Sequence, residues 1–326
     1  MEKPFGLVVP DYRKLGIEGP YIGDSVWKEL ERLDGGFDYV PASIIPFSDG
    51  SEKVVAAESV RGKEAYAIHS LYLEPSKHTL IGAQICDMLR RADAKEVILM
   101  DCYNPYFRQD YRTSREPLTA RIVANLYHGH GANTVFTCDP HSPQLDLAFE
   151  KLESLRISGH LAKYFQERYD TSNCMVSPPD EGGYKRASRF AKALGLPLAV
   201  LRKERYATDK VRIEKAFCDV EGKDVIIRDD ILGTGGTIIE AVKALRDGGA
   251  NKIYACVTHL GLYGDAKKML AENDIMVIGT NTIPQTFSRG EERYFDIFDI
   301  SGIIAEVIYR RANGLSINEF FRESTK

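Results

Sequence analysis

An apolar run that ends in two acids and passes into a Gly/Thr loop carries the densest chemistry in this 326-residue chain. It reads IIRDDILGTGGTI over residues 226–238, and an amphipathic segment, IIEAVKALRDGG, runs on from it. A strand ending at Asp229 and Asp230, followed by a helix starting near Gly236, would gather unsatisfied backbone N–H groups at the helix N-terminus. Such a site suits an anion, typically a phosphate. Gly235 and Gly236 let the backbone approach closely, and Thr234 and Thr237 add hydroxyl donors. The two carboxylates at the mouth are acceptors placed for sugar hydroxyls. Phosphate at one end and a diol at the other describe ribose 5-phosphate. The plain alternative is a strand–turn–helix connection with solvated acids.

The elements that would position this loop alternate along the chain. EVILM (96–100), TVFTC (134–138), LAVL (198–201), DVII (224–227), KIYACV (252–257) and IMVIG (275–279) read as buried strands. PLTARIVANLY, YKRASRFAKAL, TIIEAVKAL and GDAKKMLAE have helical period. The alternation predicts an α/β fold of mostly parallel sheets flanked by helices. GANTVFTCDPH (131–141) and GANKIYACVTH (249–259) share Gly, Ala, Asn, Cys and His at matching places, 118 residues apart. Thr119 falls opposite Thr237 in the same register, so two similarly folded halves are expected.

Composition excludes several classes of partner. The chain is 44% hydrophobic and 28% charged with a formal net charge of −4, which gives no electrostatic case for nucleic acid or an anionic membrane. Six widely spaced cysteines form no CxxC pair and read as buried thiols of a cytoplasmic protein. The N-terminus has no long apolar core and no 18-residue apolar run occurs, so neither secretion nor a membrane span is expected. YHGHG (127–131) holds a histidine pair that could tempt a metal assignment. At a helix C-terminus before Gly, capping and the helix dipole explain it better. No GxxxxGK[ST] loop is present, which disfavours a P-loop nucleotide site.

Further segments fall in a fixed order around the opening stretch. They are FSDG (47–50) with ESVRG (58–62), PYFRQDYRTSREPLTA (105–120), DPHSPQ (139–144), VSPPDEGGYKRA (176–187), RKER (202–205), DDILGTGGT (229–237) and TNTIP (280–284). Jointly they resemble the ribose-phosphate pyrophosphokinase family, built on the type I phosphoribosyltransferase fold, over residues 45 to 321. The resemblance implies two similar phosphoribosyltransferase-like domains. Residues 1–158 would bind ATP and 159–308 ribose 5-phosphate, with a tail at 309–326 packing back on the first.

The implied activity is transfer of the β,γ-pyrophosphoryl group of ATP to the C1 hydroxyl of ribose 5-phosphate, giving phosphoribosyl pyrophosphate (PRPP) and AMP. Phosphoryl chemistry of this kind is mostly positioning and charge neutralisation. By the resemblance, Arg108, Gln109, Asp110 and His141 grip ATP, and Phe47 and Asp49 help read adenine across a subunit interface. Asp180, Gly182 and Gly183 form the pyrophosphate loop, and His141 and Asp180 belong to the environment of Mg²⁺, the implied cofactor. Lys203 and Arg205 are the implied catalytic cations. The resemblance also implies a homodimer or a higher assembly such as a hexamer.

This chain departs from the family's pattern at several places. Ser51 stands at the family's Glu position, which leaves Glu52 open. VSPPDEGG carries an extra proline, and SLYLEPSKHTL (70–80) lacks the usual Asn-Asp-rich run, so control by ADP or phosphate is not implied. Arg228 replaces an apolar residue, and could pair with Asp229 or Asp230 or add charge for phosphate. Gly233 occupies the place of a third acid that hypoxanthine-type transferases are thought to use on the base's proton. Its absence weighs against that class. A non-catalytic regulatory subunit and a PRPP-consuming phosphoribosyltransferase remain the alternative readings.

Overall fold

The computed structural model describes residues 3–17, 21–33, 36–70, 74–199, 201–207, 210–216 and 220–323; for 201–207, 210–216 and 323 only the backbone is considered. The described residues form two units. The first draws on 1–155, 282–284 and 300–320, and the second on 156–281, 285–299 and 321–326.

In chain order the first unit contributes β1 (Phe5–Asp11), α1 (Ile22–Arg32), β2 (Phe37–Pro46), β3 (Glu52–Ala56), β4 (Glu64–His69), α2 (Pro75–Arg91), β5 (Glu96–Asp101), α3 (Thr119–Gly129), β6 (Thr134–Cys138) and β7 (Leu152–Leu155). Its seven strands lie in the order β3-β2-β1-β4-β5-β6-β7. Neighbours are parallel except for the β2–β3 hairpin. Strands covered on both faces read as continuous apolar runs, and the interior of β1, GLVVP, is buried throughout.

The second unit contributes α4 (Ser158–Arg168), β8 (Cys174–Ser177), α5 (Tyr184–Leu194), β9 (Leu201–Ala207), β10 (Lys210–Ala216), β11 (Asp224–Leu232), α6 (Gly236–Asp247), β12 (Ile253–Leu260), α7 (Ala266–Glu272), β13 (Met276–Thr280) and β14 (Phe295–Phe298). Five of these strands form a parallel sheet in the order β14-β13-β12-β11-β8. β9 and β10 form a separate antiparallel ribbon. Two helices end the chain, α8 (Ser301–Ala312) and α9 (Ile317–Glu323). α8 belongs to the first unit and packs on α1, and its Arg311 pairs with Glu96 at the start of β5.

Two differences from the sequence expectation have local causes. Among the described residues LAVL is not one sheet strand: Leu198 forms one isolated parallel bridge to Val176, beside Pro197, which has no N–H to extend a ladder, and Leu201 opens β9 of the separate ribbon. β11 does not stop at the acid pair but continues through it to Leu232, still paired with β12 at Leu260.

The internal echo is structural. Both Gly131 and Gly249 end a helix at positive φ, 112° and 84°. Both asparagines that follow tie the next strand to its neighbour: Asn133 N–H donates to the Val97 carbonyl at 2.8 Å and Asn251 N–H to the Lys223 carbonyl at 2.7 Å. Among the described residues no helix is long and apolar enough to cross a membrane.

Candidate active site

In the second unit, β11 delivers Asp229 and Asp230 at its C-terminal end, where ligand sites of open parallel sheets form. Arg186, in the first turn of α5, bridges both: Nη1 lies 2.9 Å from Asp229 Oδ1 and Nη2 3.2 Å from Asp230 Oδ2. Asp230 is 3% exposed, so this is a largely desolvated contact. Burial and the charge of Asp230 push the Asp229 carboxyl up to about 7, with Arg186 pulling the other way.

Beyond the acids the chain turns through Gly233 and Thr234 into α6. Gly235 sits at the helix N-cap with φ +82°, the left-handed region that favours glycine, and among the described residues no side chain caps it. The first-turn N–H groups of α6 have no partners within the helix, as a phosphate cradle requires. Thr234, Gly236 and Thr237 are exposed. Gly233 is not required by space, since an added Cβ would meet the Tyr263 ring at an ordinary 3.5 Å.

The loop before α5 is built by a cap. Asp180 Oδ1 accepts the Gly183 N–H at 3.2 Å and closes the 181–183 turn. Pro178 and Pro179 are buried against that turn, and a Cβ on Gly183 would lie 3.1 Å from Pro179 and 3.3 Å from Pro178. The extra proline therefore packs on the loop. The backbone of β9 runs beside the same turn. Lys203 stands opposite Ile213 and Arg205 opposite Val211 in the ribbon, and their side chains lie outside the described residues.

In the first unit, β5 leads into a tight turn at Pro105–Arg108. Arg108 and Gln109 are exposed, while Asp110 is 5% exposed and accepts the Ser142 hydroxyl at 2.5 Å. Ser142 also accepts the Gln144 N–H at 3.1 Å. The FRQD turn and the loop after β6 that carries His141 are thus joined, with His141 exposed. The Phe47–Asp49 tip is not joined to them: the hairpin lies at the β3 edge, and β1 and β4 intervene before β5. Phe47 is 48% exposed. The Ser51 hydroxyl and N–H hold the Asp49 carboxyl below its usual range. Glu52 turns to α2, where Lys77 lies 3.4 Å from its carboxylate.

Three residues have roles that local sequence did not assign. Arg186 is 43 positions from Asp229 and reaches it only because α5 follows the capped loop. Arg228 is fully buried: its Nη2 donates to Ser158 Oγ and Thr258 Oγ1, each at 2.7 Å, its Nη1 to the Cys256 carbonyl at 3.3 Å, and its guanidinium faces the Phe190 ring. Ser142 supplies the link between the two loops of the first unit. The YHGHG histidines have separate partners, His128 bonding the Ala132 carbonyl at 2.8 Å and His130 facing Asp87 at 3.6 Å. Among the described residues no cluster of three or more His, Cys, Asp or Glu is arranged to hold a metal.

The second unit thus presents a capped glycine loop, a clamped acid pair at a parallel strand end and a helix start without a side-chain cap among the described residues. Residues 149–292 match the model of the phosphoribosyl transferase domain, and residues 18–131 match that of the N-terminal domain of ribose phosphate pyrophosphokinase. The chain is 35% identical over 295 residues to ribose-phosphate pyrophosphokinase 1 of Listeria monocytogenes, covering 88% of this chain and 91% of that protein. It is 35% identical over 292 residues to the ribose-phosphate pyrophosphokinase of Aquifex aeolicus, covering 88% and 92%. The crystal structure of phosphoribosylpyrophosphate synthetase from Mycobacterium smegmatis superimposes with a TM-score of 0.82 at 30% identity, over 95% of this chain and 99% of that one. The chain belongs to the ribose-phosphate pyrophosphokinase family.

Proposed function

We propose that this chain transfers the β,γ-pyrophosphoryl group of ATP to the C1 hydroxyl of ribose 5-phosphate, giving PRPP and AMP. The observation that carries the assignment is the acid pair gripped by Arg186 beside the uncapped start of α6. Asp229 and Asp230 accept the ribose 2- and 3-hydroxyls, and the 234–237 loop takes the 5-phosphate. Arg186 favours the ionised, accepting form of a pair that burial alone would protonate.

Arg108, Gln109, Asp110 and His141 bind the nucleotide. Phe47 and Asp49, set apart on the hairpin, serve the nucleotide of a second copy in a homodimer or higher assembly. The 180–183 loop cradles the pyrophosphate through Gly182 and Gly183. The C1 oxygen attacks the β-phosphorus, the bond from that phosphorus to the α-phosphate bridging oxygen breaks with AMP leaving, and the hydroxyl proton passes to solvent. Lys203 and Arg205 neutralise charge on the transferred group. The half-exposed carboxylate of Asp180 is a hard oxygen donor that fits Mg²⁺, with His141 beside the nucleotide. Bound Mg²⁺ supplies charge neutralisation of the polyphosphate.

Incubation of the protein with ATP, Mg²⁺ and ribose 5-phosphate should yield AMP and PRPP in equal amounts. Mixtures free of AMP across a range of phosphate concentrations would refute the activity.

A further inference from the structure

The C-terminal ends of β4 and β5 enclose a buried polar chain that the reaction above does not use. Tyr12, His69, His78, Asp101, Asn104 and Tyr127 are each 2% exposed or less. The bonding pattern sets each donor. The His78 carbonyl can only accept, so His69 Nε2 donates to it at 2.8 Å, and His69 Nδ1 accepts the Tyr12 hydroxyl at 2.9 Å. His78 Nε2 lies 3.0 Å from Asp101 Oδ1 and donates to it. Asp101 Oδ2 accepts from Tyr127 at 2.8 Å and from the Asn104 amide at 3.1 Å. A buried carboxylate with three donors has one stable arrangement around it.

That arrangement orients Asn104. Its Nδ2 also approaches Thr79 Oγ1 at 3.2 Å, which leaves Oδ1 to accept the Tyr106 N–H at 3.0 Å and cap the 105–108 turn. Flipping the amide would set its oxygen against the Asp101 carboxylate and withdraw the cap. Arg108 is the last residue of this turn, and Gln109 is held at its end by N–H donation to the Tyr106 carbonyl at 3.0 Å.

We propose that Asp101 and Asn104 are positioning residues that hold the Arg108–Gln109 turn and thereby set the affinity for the nucleotide. The proposal rests on the assignment of Arg108 and Gln109 to the nucleotide made above. Asp101 acts through Asn104, and the His69–His78 pair fixes Asp101.

The test is a side-chain exchange in the full-length protein, read by the equilibrium dissociation constant for ATP and by KM for ribose 5-phosphate. Asn104→Asp sets two carboxylates face to face and should weaken ATP about tenfold. Asp101→Asn turns one of the two acceptor oxygens into a donor that must face either His78 or the Tyr127 and Asn104 donors, and should weaken ATP about threefold. The double variant restores one carboxylate and one amide with their places exchanged: the new amide donates to the new carboxylate, whose other oxygen caps Tyr106. It should recover ATP affinity to within about threefold of wild type. KM for ribose 5-phosphate should stay within about twofold throughout.

Recovery by exchange is not expected of residues that merely fill the core. Wild-type ATP affinity in the single variants, a double variant no better than Asn104→Asp alone, or a parallel loss for both substrates would overturn the proposal. If a single variant does not fold, Tyr127→Phe serves in its place: it removes one donor to Asp101 and the hydroxyl that accepts from the Asn104 amide at 3.1 Å, and should weaken ATP about threefold, and an unchanged affinity overturns the proposal. Arg108→Ala separates the two claims. If it weakens ATP and the Asp101 and Asn104 variants do not, only the positioning claim falls. If Arg108→Ala leaves ATP affinity unchanged, the nucleotide assignment falls and takes this proposal with it. If wild type binds ATP but makes no PRPP, the activity falls while the ATP measurements still decide the positioning.

Discussion

Replacing Arg186 with Met keeps the length and packing of the side chain and deletes only its charge. Two carboxylates then face each other without the guanidinium that reaches them at 2.9 and 3.2 Å. Breaking a fully buried ion pair costs about 3–5 kcal/mol, and the 18% exposure of Arg186 reduces that to about 2–3 kcal/mol. The loss depends on pH with a definite sign. In wild type the folded Asp229 carboxyl sits at about 7 against 3.8 unfolded, so the folded state holds the extra proton between them. The contribution of Asp229 to stability therefore falls as pH rises through that window and levels off above it.

Without Arg186 the folded value rises further, and the decline continues past pH 7. The gap between variant and wild type should be about 1 kcal/mol at pH 6 and should widen by up to about 1.4 kcal/mol per pH unit above 7. Urea unfolding of both proteins at pH 6 and pH 8.5 measures it directly, and KM for ribose 5-phosphate should rise about tenfold in the variant. A gap equal at the two pH values, or larger at pH 6, would refute the charge argument.

Lys203→Ala should lower turnover by about 100-fold with an unchanged thermal midpoint, and unchanged turnover would remove it from the mechanism. Gly235→Ala should cost about 1 kcal/mol and raise KM for ribose 5-phosphate, whereas Gly233→Ala, with ordinary 3.5 Å clearance to Tyr263, should leave the thermal midpoint nearly unchanged. Burial, then the neighbouring His78, push His69 down to about 3, so the unfolded chain binds the extra proton below pH 6.5. His69 should then cost about 2 kcal/mol between pH 7 and pH 5, offsetting the gain from Asp229 over the same range. His69→Gln, which can keep both hydrogen bonds, should make stability rise more steeply on acidification than in wild type, as read by thermal melts.

What could be read beforehand was local in sequence. The 229–237 stretch declares itself because a phosphate cradle needs glycines and hydroxyls within one turn, and all of them are contiguous. The pyrophosphate loop is equally compact, since Asp180 caps a residue three positions on. Arg186 was hidden because its partners lie 43 and 44 positions away and only the direction of α5 brings them together. Arg228 was open to two readings because a charge in a strand has no local sign of burial. Its hydroxyl acceptors come from α4 and β12, and no pattern within β11 announces them. The first 45 residues offered few motifs, yet β1 forms pairs on both sides within its sheet. Core strands are specified by apolarity alone, which many sequences satisfy.

The repeated helix–Gly–Ala–Asn–strand unit shows where the two halves acquire different chemistry. In each, an asparagine ties the echoed strand to its neighbour, β6 to β5 and β12 to β11. The neighbours differ in length. β5 ends at Asp101 after six residues, and the chain turns at once into the capped 105–108 segment. β11 continues for nine residues and carries its acids along the extension. A carboxylate at the short strand's end is enclosed by α2, α3 and the turn, and is satisfied by His78, Tyr127 and Asn104. It can hold structure but cannot meet a sugar. Carboxylates on the long strand reach the rim, where one guanidinium covers them and leaves Asp229 19% exposed. A few residues of strand thus separate an acid enclosed on every side by its own donors from acids held at the rim by one guanidinium, although the supporting unit beneath both is the same.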